Sequence, residues 1–181
     1  MILLRHGKPK SNKHCYGFSN PPLLEAPRET AARIAPSLPP FRRIISSPSP
    51  RCIQLAEALH EGLQGDGPLL SNDALKELNF GDWEGLPWSD VPRKELDTWA
   101  LTPLDFTIPG GESPRQLEHR VRNWFEEFCP DSEDLIVAHA GSLRVLAACI
   151  LGKEFDITWQ WPLPYATPVQ VLHGQKGFVA Y

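Results

Sequence analysis

The sequence predicts an α/β protein with three layers, α/β/α, in which helices cover both faces of a mainly parallel central sheet. Two apolar runs, 1–4 and 135–138, lead into His6, after Arg5, and into His139. Such runs are typical of strands buried on both faces. The segments between and after them carry apolar residues at helical spacing. At 181 residues the chain suits one core, so we expect a single domain over 1–181.

The first strand ends at Arg5 and His6. In an open α/β sheet, the carboxyl ends of the strands form the rim at which ligands bind. A guanidinium next to an imidazole at that rim suits an anionic substrate, and Gly7 permits a close approach of the backbone. A polar cap on the strand is the alternative interpretation.

A long loop, a helix and a second strand are predicted next. Residues 8–22 are polar and rich in turn-forming residues, which indicates a loop over the rim of the sheet. Such loops often carry function, but a plain connector fits equally well. Residues 25–34 form a modest helical stretch that Pro27 is expected to interrupt and Pro36 to stop. Residues 41–48 predict a short strand.

The pair Ser49 and Pro50 predicts the start of a helix, because serine is a favourable N-cap and proline suits the first helical position. Its apolar residues at helical spacing are Cys52, Leu55, Ala56, Leu59 and Leu63. Arg51 falls in the first turn, where the helix dipole disfavours a cation by roughly 0.3–1 kcal/mol, so a bound anion would compensate it. A solvated arginine is the alternative. Residues 62–67 are expected to form a turn.

Residues 75–85 combine two acids with a tryptophan in a glycine-bounded turn. We expect Glu77, rather than Glu84, to act as an acid at the rim, because Glu77 ends an extended segment that can reach it. Three of the six tryptophans lie within 83–99. They belong either to the core or to a lid that stacks on a ring-bearing ligand. Residues 87–100 show a helical pattern.

The clearest predicted helix starts at Ser113, which serves as its N-cap. Pro114 suits the first helical position, and Gln116 completes a capping box. The predicted buried stripe consists of Leu117, Val121, Trp124, Phe125 and Phe128. Pro130 ends the helix. Glu112, just before it, is interpreted as loop polarity or as a cap of the helix dipole.

His139 follows the second apolar run. Because parallel strands end at the same rim, we expect it close to His6. The helix predicted over 143–151 is apolar on all sides and should therefore be buried. Residues 169–172 and 178–179 resemble a closing hairpin with an edge strand.

Composition argues against several kinds of partner. The net charge is -4 without a block of basic residues, so we expect no nucleic acid partner. No apolar run approaches the length of a membrane span and no leader precedes Ile2, which favours the cytoplasm and no membrane partner. The four cysteines do not have the spacing of metal ligands, and we expect no cofactor and no metal. Small buried thiols in a reducing compartment are expected at Cys15, Cys52, Cys129 and Cys149.

The charged groups expected at the rim suit phosphoryl transfer. Arg5 and Arg51 supply forks of donors that match phosphate oxygens, each charged hydrogen bond contributing about 1.5–3 kcal/mol in a sheltered site. A neutral imidazole, with a reference pKa near ~6.5, can attack phosphorus, and a second imidazole can bind the equatorial oxygens. An alkoxide leaves poorly, so a protonated carboxyl such as Glu77 must supply a proton.

Five blocks of this sequence resemble the motifs of the histidine phosphatase superfamily, which has the phosphoglycerate mutase-like fold. They occur in the family's order, at 4–7, 46–51, 77–85, 110–113 and 138–144. Three further segments are similar to the alpha-ribazole phosphatase branch, namely 15–17, 22–23 and 161–165. That branch removes the 5'-phosphate from alpha-ribazole 5'-phosphate in assembling the cobalamin nucleotide loop.

The resemblance implies a role for each matched residue. His6 would be the nucleophile that carries the phosphoryl group. Glu77 would donate a proton to the leaving group and later act as base on water. Contacts to phosphate are implied for Arg5, Arg51, His139 and Asn12. The implied partner is a small phosphorylated metabolite, and the protein would work as a monomer or homodimer.

Other functions stay open at this point. A broad-specificity or sugar-phosphate phosphatase would use the same groups. A phosphoglycerate mutase must also shield the intermediate from water and seat a second anion, and the chain lacks long insertions for such a cover. A non-catalytic module that binds a phosphate ligand would keep the fold without turnover. A metal site made by His6 and His139 would lack a carboxylate or thiolate at ligand spacing.

Overall fold

A six-stranded sheet forms the centre of the molecule. The computed structural model describes residues 1–62 and 67–171 and the backbone of 178–180. The strands are β1 (Ile2–Arg5), β2 (Arg43–Ser46), β3 (Leu69–Ser71), β4 (Asp134–Ala138), β5 (Pro168–Val171) and β6 (Phe178–Ala180). Their order in the sheet is β3-β2-β4-β1-β5-β6. The first four in that order run parallel, and β5 is antiparallel to both of its neighbours.

Helices cover both faces of this sheet, which confirms the predicted three layers. The helices are α1 (Pro27–Ile34), α2 (Pro50–Gly62), α3 (Arg93–Leu101), α4 (Pro114–Phe128), α5 (Ala140–Leu151) and α6 (Phe155–Thr158). Side chains of a strand alternate between faces. Ile2 and Leu4 therefore pack with α1 and α2, whereas Leu3 packs with α4 and α5. The strand ends nearest the helix N-termini form the rim of the sheet.

Most predicted element boundaries are confirmed. Helix α2 begins at Pro50. The capping box at the start of α4 is present: the Ser113 hydroxyl accepts from the Gln116 N–H at 3.2 Å, and the Gln116 side chain accepts from the Ser113 N–H at 2.7 Å. Gly152 ends α5 in the left-handed conformation, as a C-terminal glycine commonly does. β5 and β6 form the predicted hairpin. The residues assigned to its turn, and the predicted buried position of Leu63, lie outside the described residues.

Three predicted segments differ from the structure. Pro27 begins α1 instead of interrupting it, because the fixed φ of proline suits a first helical position. The helix predicted over 87–100 begins only at Arg93, since a residue that precedes a proline, here Pro92, is disfavoured in the helical region. The helix predicted over 143–151 begins earlier, at Ala140. The strand β3 was not predicted, because its three residues are too few to show a period in the sequence.

The cysteines follow the prediction with one exception. All four are free; Cys15 and Cys52 are buried and Cys149 is partly buried, but Cys129 is exposed. Cys129 follows the last residue of α4 in a left-handed conformation, with φ of 51°, and helix ends of this kind lie at the surface. None of the helices in the described part of the chain is long and apolar enough to cross a membrane.

Candidate active site

A pocket with a volume of about 200 Å³ lies at the rim of the sheet, beyond β1 and the first turn of α2. The polar and charged residues that line it are Arg5, His6, Ser11, Asn12, His14, Arg51 and Glu77. Its remaining lining consists of Pro9, Tyr16, Phe80, Trp88 and Tyr165. Five of the six predicted site residues thus line one pocket; the sixth, His139, lies directly behind it.

The contacts of the His6 imidazole determine which of its two nitrogens carries the proton. Its Nδ1 lies 2.8 Å from the Gly7 carbonyl oxygen, and its Nε2 accepts from Arg51 Nε at 3.2 Å. A carbonyl oxygen can only accept, so the proton sits on Nδ1 and the lone pair on Nε2. Burial and the adjacent Arg51 guanidinium lower the pKa of His6 to about 3. His6 is therefore a neutral imidazole at neutral pH.

Arg51, in the first turn of α2, is only 2% exposed. Its Nη1 donates to the Ser19 carbonyl at 2.7 Å and its Nη2 to the Gly17 carbonyl at 2.6 Å. The loop over the rim therefore orients the guanidinium toward His6. This contact with the loop supports the functional interpretation of residues 8–22 over the plain connector.

Arg5 carries an unpaired donor at the pocket. Its Nη1 donates to the Leu163 carbonyl at 3.0 Å, and its guanidinium lies 3.6 Å from the centre of the Tyr165 ring. Its Nε is buried and has no hydrogen-bond partner among the described residues. An unpaired buried donor is costly. Arg5 also lines the pocket, so its guanidinium can meet a phosphoryl oxygen there.

Glu77 is 9% exposed and reaches the pocket from the segment before Leu78. Its Oε1 accepts from the N–H of Gly141 at 3.0 Å, at the start of α5, and from the N–H of Leu78 at 3.0 Å. A Cβ at residue 141 would stand 2.3 Å from Oε1. Glycine at 141 is therefore required for the carboxylate to dock on the helix N-terminus.

An ion pair behind Glu77 holds the segment that carries it. Arg120 of α4 donates to the Glu77 carbonyl at 2.8 Å and to the Ala74 carbonyl at 2.6 Å, and it pairs with Glu112 at 2.8 Å. Glu112 also accepts from the Asn79 N–H at 2.9 Å. The interpretation of Glu112 as loop polarity or a helix cap is therefore wrong, because its carboxylate binds Arg120 and the Asn79 N–H and so holds the segment that carries Glu77.

His139 contacts His6 but does not line the pocket. The two ring centres are 5.1 Å apart, and His139 is fully buried. Its Nε2 lies 2.9 Å from the Ser47 hydroxyl and 3.4 Å from the Cys52 thiol. Burial, reinforced by the nearby arginines, lowers the pKa of His139 well below its usual value. In the structure His139 packs against His6 and outside the pocket lining, so its contact with phosphate stays a prediction.

Asn12 and the tryptophans differ in how close they come to the pocket. Asn12 is exposed and lies on the pocket's edge. Trp83 is 1% exposed and packs against Trp99 with ring centres 5.6 Å apart, so it belongs to the core. Trp88 lines the pocket together with Phe80, their ring centres 5.7 Å apart. The tryptophan-rich region therefore serves both the core and the pocket wall.

Several residues of the site escaped the sequence analysis. Ser47, Arg120 and Tyr165 reach the site through contacts across the fold, and no spacing in the sequence indicates such contacts. Glu84 was considered only as an acid, whereas its carboxylate binds the loop over the rim. Gly141, two residues after His139, is the one sequence signal of the Glu77 contact, because a glycine at a helix start indicates a close approach of another group.

Comparisons with known proteins agree with this geometry. The family described as histidine phosphatase superfamily (branch 1) matches residues 1–180. A 2,3-bisphosphoglycerate-dependent phosphoglycerate mutase from Parvibaculum lavamentivorans is 30% identical over 81% of this chain and 77% of its own length. Phosphoserine phosphatase 1 from Hydrogenobacter thermophilus is 25% identical, with coverage of 97% and 87%.

Two solved structures have the same fold. The alpha-ribazole phosphatase from Shigella flexneri superposes with a TM-score of 0.81 at 21% identity, covering 99% of this chain and 93% of that one. The mycobacterial glucosyl-3-phosphoglycerate phosphatase superposes with a TM-score of 0.75 at 25% identity, covering 93% and 87%. Both of these proteins are named as phosphatases.

Proposed function

Since the chain belongs to the histidine phosphatase superfamily and is a phosphatase of that family, we propose that it hydrolyses phosphate monoesters through a phosphohistidine on His6. The observation that carries this proposal is the orientation of the imidazole. Nδ1 faces the Gly7 carbonyl, and Nε2 faces Arg51 at the pocket. A neutral imidazole that keeps its lone pair on Nε2 becomes a nucleophile suited to phosphorus once Arg51 turns to the phosphoryl group.

In the first step, His6 Nε2 attacks phosphorus, the N–P bond forms, and the bond from phosphorus to the leaving oxygen breaks. Arg51 Nε shifts its hydrogen bond from Nε2 to a phosphoryl oxygen, and the Arg5 guanidinium binds another. These fixed donors stabilise charge where it develops in the transition state. His139 beneath His6 is the proposed third phosphate contact, and Asn12 at the pocket's edge is a fourth.

Glu77 supplies the proton in the first step and removes one in the second. Oε1 accepts from the N–H groups of Leu78 and Gly141 at 3.0 Å, whereas Oε2 has only the longer contact of 3.3 Å with the Gly141 N–H; we therefore propose Oε2 as the oxygen that carries the proton. The leaving alkoxide takes that proton. Water then attacks phosphorus, Glu77 accepts the proton of the water, and the N–P bond breaks to release phosphate and free His6.

For the substrate, we propose alpha-ribazole 5'-phosphate. Among the described residues, the pocket lining contains no lysine or arginine besides Arg5 and Arg51, which the phosphoryl group occupies. A second anionic group would therefore meet only the uncharged donors of Ser11 and Asn12 and the His14 imidazole, and no further guanidinium or ammonium group, so its burial is less well compensated. The aromatic wall of Tyr16, Phe80 and Trp88 favours a neutral, ring-bearing leaving group. The alternatives are a broad-specificity or sugar-phosphate phosphatase, then a mutase, then a non-catalytic binding module.

The proposal extends to the state in which the protein works. We propose that residues 1–181 form a single domain that acts as a monomer or homodimer in the cytoplasm. The four free cysteines fit a reducing compartment.

Steady-state kinetics with three substrates would test the proposal. We expect a higher kcat/KM for alpha-ribazole 5'-phosphate than for 3-phosphoglycerate and simple sugar phosphates. Trapping with labelled substrate should place phosphate on wild-type protein and not on His6→Ala. Labelling that survives His6→Ala would contradict the phosphohistidine. A preference for 3-phosphoglycerate would contradict the substrate assignment alone.

A further inference from the structure

The Glu84 carboxylate binds the loop over the rim from a turn 67 residues away in sequence. It accepts hydrogen bonds from three successive backbone N–H groups, those of Gly17 at 3.1 Å, Phe18 at 2.7 Å and Ser19 at 3.1 Å. The Ser19 hydroxyl and the Phe80 N–H also donate to it. One side chain thereby satisfies most of the polar backbone of this part of the loop.

The same loop segment holds Arg51 from its other side. The carbonyl oxygens of Gly17 and Ser19 accept from the two terminal nitrogens of Arg51, whose Nε donates to His6 Nε2. The segment 17–19 therefore lies between a carboxylate and a guanidinium. Its N–H groups face the negative charge and its carbonyl groups face the positive one, so each set of hydrogen bonds strengthens the other.

The close fit leaves little freedom in this arrangement. A Cβ at Gly17 would stand 1.9 Å from the Leu78 carbonyl oxygen and 2.6 Å from Glu84 Oε1. Burial of the Glu84 carboxyl opposes its ionisation, but the hydrogen bonds from Ser19 and the loop outweigh burial, and the pKa of Glu84 lies below its usual value. Glu84 is therefore ionised at neutral pH, as an acceptor of several N–H groups must be.

We propose that Glu84 is a positioning residue for Arg51: through the loop segment 17–19, it holds the Arg51 guanidinium against the His6 imidazole. The inference rests on the proposed function of His6. In the absence of the carboxylate, three backbone N–H groups lose their acceptor and the segment moves to find others. Arg51 then loses two fixed carbonyl acceptors, and its Nε leaves the position from which it would meet a phosphoryl oxygen.

A double-mutant cycle with Arg51 tests this coupling. Glu84→Gln puts an amide NH₂ where N–H donors need an acceptor, and Arg51→Lys removes the fork that the two carbonyls orient. We expect Glu84→Gln to lower kcat/KM for para-nitrophenyl phosphate by about 10- to 100-fold in the wild-type background, but less than about 3-fold in Arg51→Lys. An equal loss in both backgrounds would overturn the proposal.

A neighbouring carboxylate provides a matched control. Glu95 accepts from the indole N–H of Trp83 at 2.6 Å and supports the same turn without touching the loop. Glu95→Gln should lower the melting temperature while leaving kcat/KM and the inhibition constant of vanadate unchanged. Glu84→Gln should weaken vanadate inhibition in step with kcat/KM. Unchanged vanadate inhibition in Glu84→Gln would mean that Arg51 had not moved.

Ser19→Ala keeps the test open if Glu84→Gln does not fold. This substitution removes the hydroxyl that donates to Glu84 and keeps the backbone contacts of residue 19 with Glu84 and Arg51. We expect a loss of about 2- to 5-fold in kcat/KM that disappears in Arg51→Lys; a loss that persists there would overturn the proposal. The activities of wild type and His6→Ala are measured in the same series. Activity that does not depend on His6 would contradict the proposed function, whereas the double-mutant cycle tests only the coupling between Glu84 and Arg51.

Discussion

The His6 imidazole makes two contacts of opposite character, and the proposed chemistry depends on both. Its Nδ1 faces a carbonyl oxygen and its Nε2 faces a guanidinium. Solvent would leave either nitrogen protonated, whereas the Gly7 carbonyl and Arg51 select one tautomer and aim its lone pair at the pocket. At the scale of single residues, therefore, the chemistry depends on which atom of a side chain meets which partner.

Replacing Glu77 with glutamine tests its role in proton transfer. An amide cannot give a proton to an alkoxide, so we expect Glu77→Gln to slow turnover of alkyl phosphates by about 10²- to 10⁴-fold. Aryl phosphates have better leaving groups and should lose less. The comparison is made from kcat with both substrate types, and equal losses would mean that Glu77 is not the donor.

Burial of His6 in its neutral form makes stability depend on pH. The unfolded imidazole titrates near ~6.5, whereas the folded pKa is about 3. Between these values the unfolded state binds the extra proton, so the free energy of unfolding should fall as pH falls below 6.5 and stay flat above it. The His6 contribution at pH 5 is a loss of about 2 kcal/mol. His139, whose pKa is also lowered, acts in the same direction. The His6 share is therefore measured as the difference between wild type and His6→Ala in urea unfolding at pH 5 and pH 7, and His6→Ala should show the smaller pH dependence.

The starts of two helices supply the fixed points of the site. Arg51 stands in the first turn of α2, and the N–H of Gly141 in the first turn of α5 binds the Glu77 carboxylate. Unpaired N–H groups and the helix dipole favour negative charge at such positions. At the scale of elements, α2 and α5 therefore contribute their N-termini to the site, and the apolar residues along α5 hold its N-terminus against the sheet.

Gly141→Ala should displace Glu77 while sparing the helix. Alanine is the better helix former by about 1 kcal/mol, but its Cβ would stand 2.3 Å from Glu77 Oε1. We therefore expect a loss of kcat on alkyl phosphates that approaches the loss in Glu77→Gln.

Gly152→Ala, at the other end of the same helix, is the control. Its φ is +60°, so alanine there should lower the melting temperature with kcat unchanged. A Gly141→Ala enzyme with normal kcat would show that the carboxylate works from another position.

The whole molecule brings the two histidines together through its topology. β1 and β4 are parallel neighbours with Arg5 opposite Ala138, so His6 and His139 leave the sheet side by side although 133 positions separate them. The order of the strands in the sheet therefore decides which side chains come together at the site, and no local sequence pattern predicts that order.

Activity should not depend on a metal ion. Two guanidinium groups and a carboxyl proton supply the charge stabilisation that a bound cation would otherwise provide. Among the described residues, no three histidine, cysteine or acidic side chains are grouped so as to hold a metal ion. Turnover of para-nitrophenyl phosphate should be the same before and after dialysis against EDTA, and activity lost to EDTA and restored by a divalent cation would contradict this expectation.

Sequence patterns predicted the parts of the protein that depend on neighbours along the chain. The buried strands, the capping box at Ser113 and the proline that begins α2 follow from burial and from backbone geometry within a few residues. Pro27 and Pro92 were less predictable, because a proline can begin a helix or precede one, and packing decides between them. The motif around His6 similarly indicated the family before any contact was known.

By itself, the sequence determined the fold class, the rim position of Arg5 and His6, and phosphoryl transfer as the chemistry, because each depends on local periodicity or on residue type. Tertiary structure alone decided the rest. Glu84 and Glu112 are acids of the same kind as Glu77, yet one holds a loop and another pairs with Arg120. The physical reason is that a carboxylate's role depends on the donors around it, and here those donors come from distant parts of the chain.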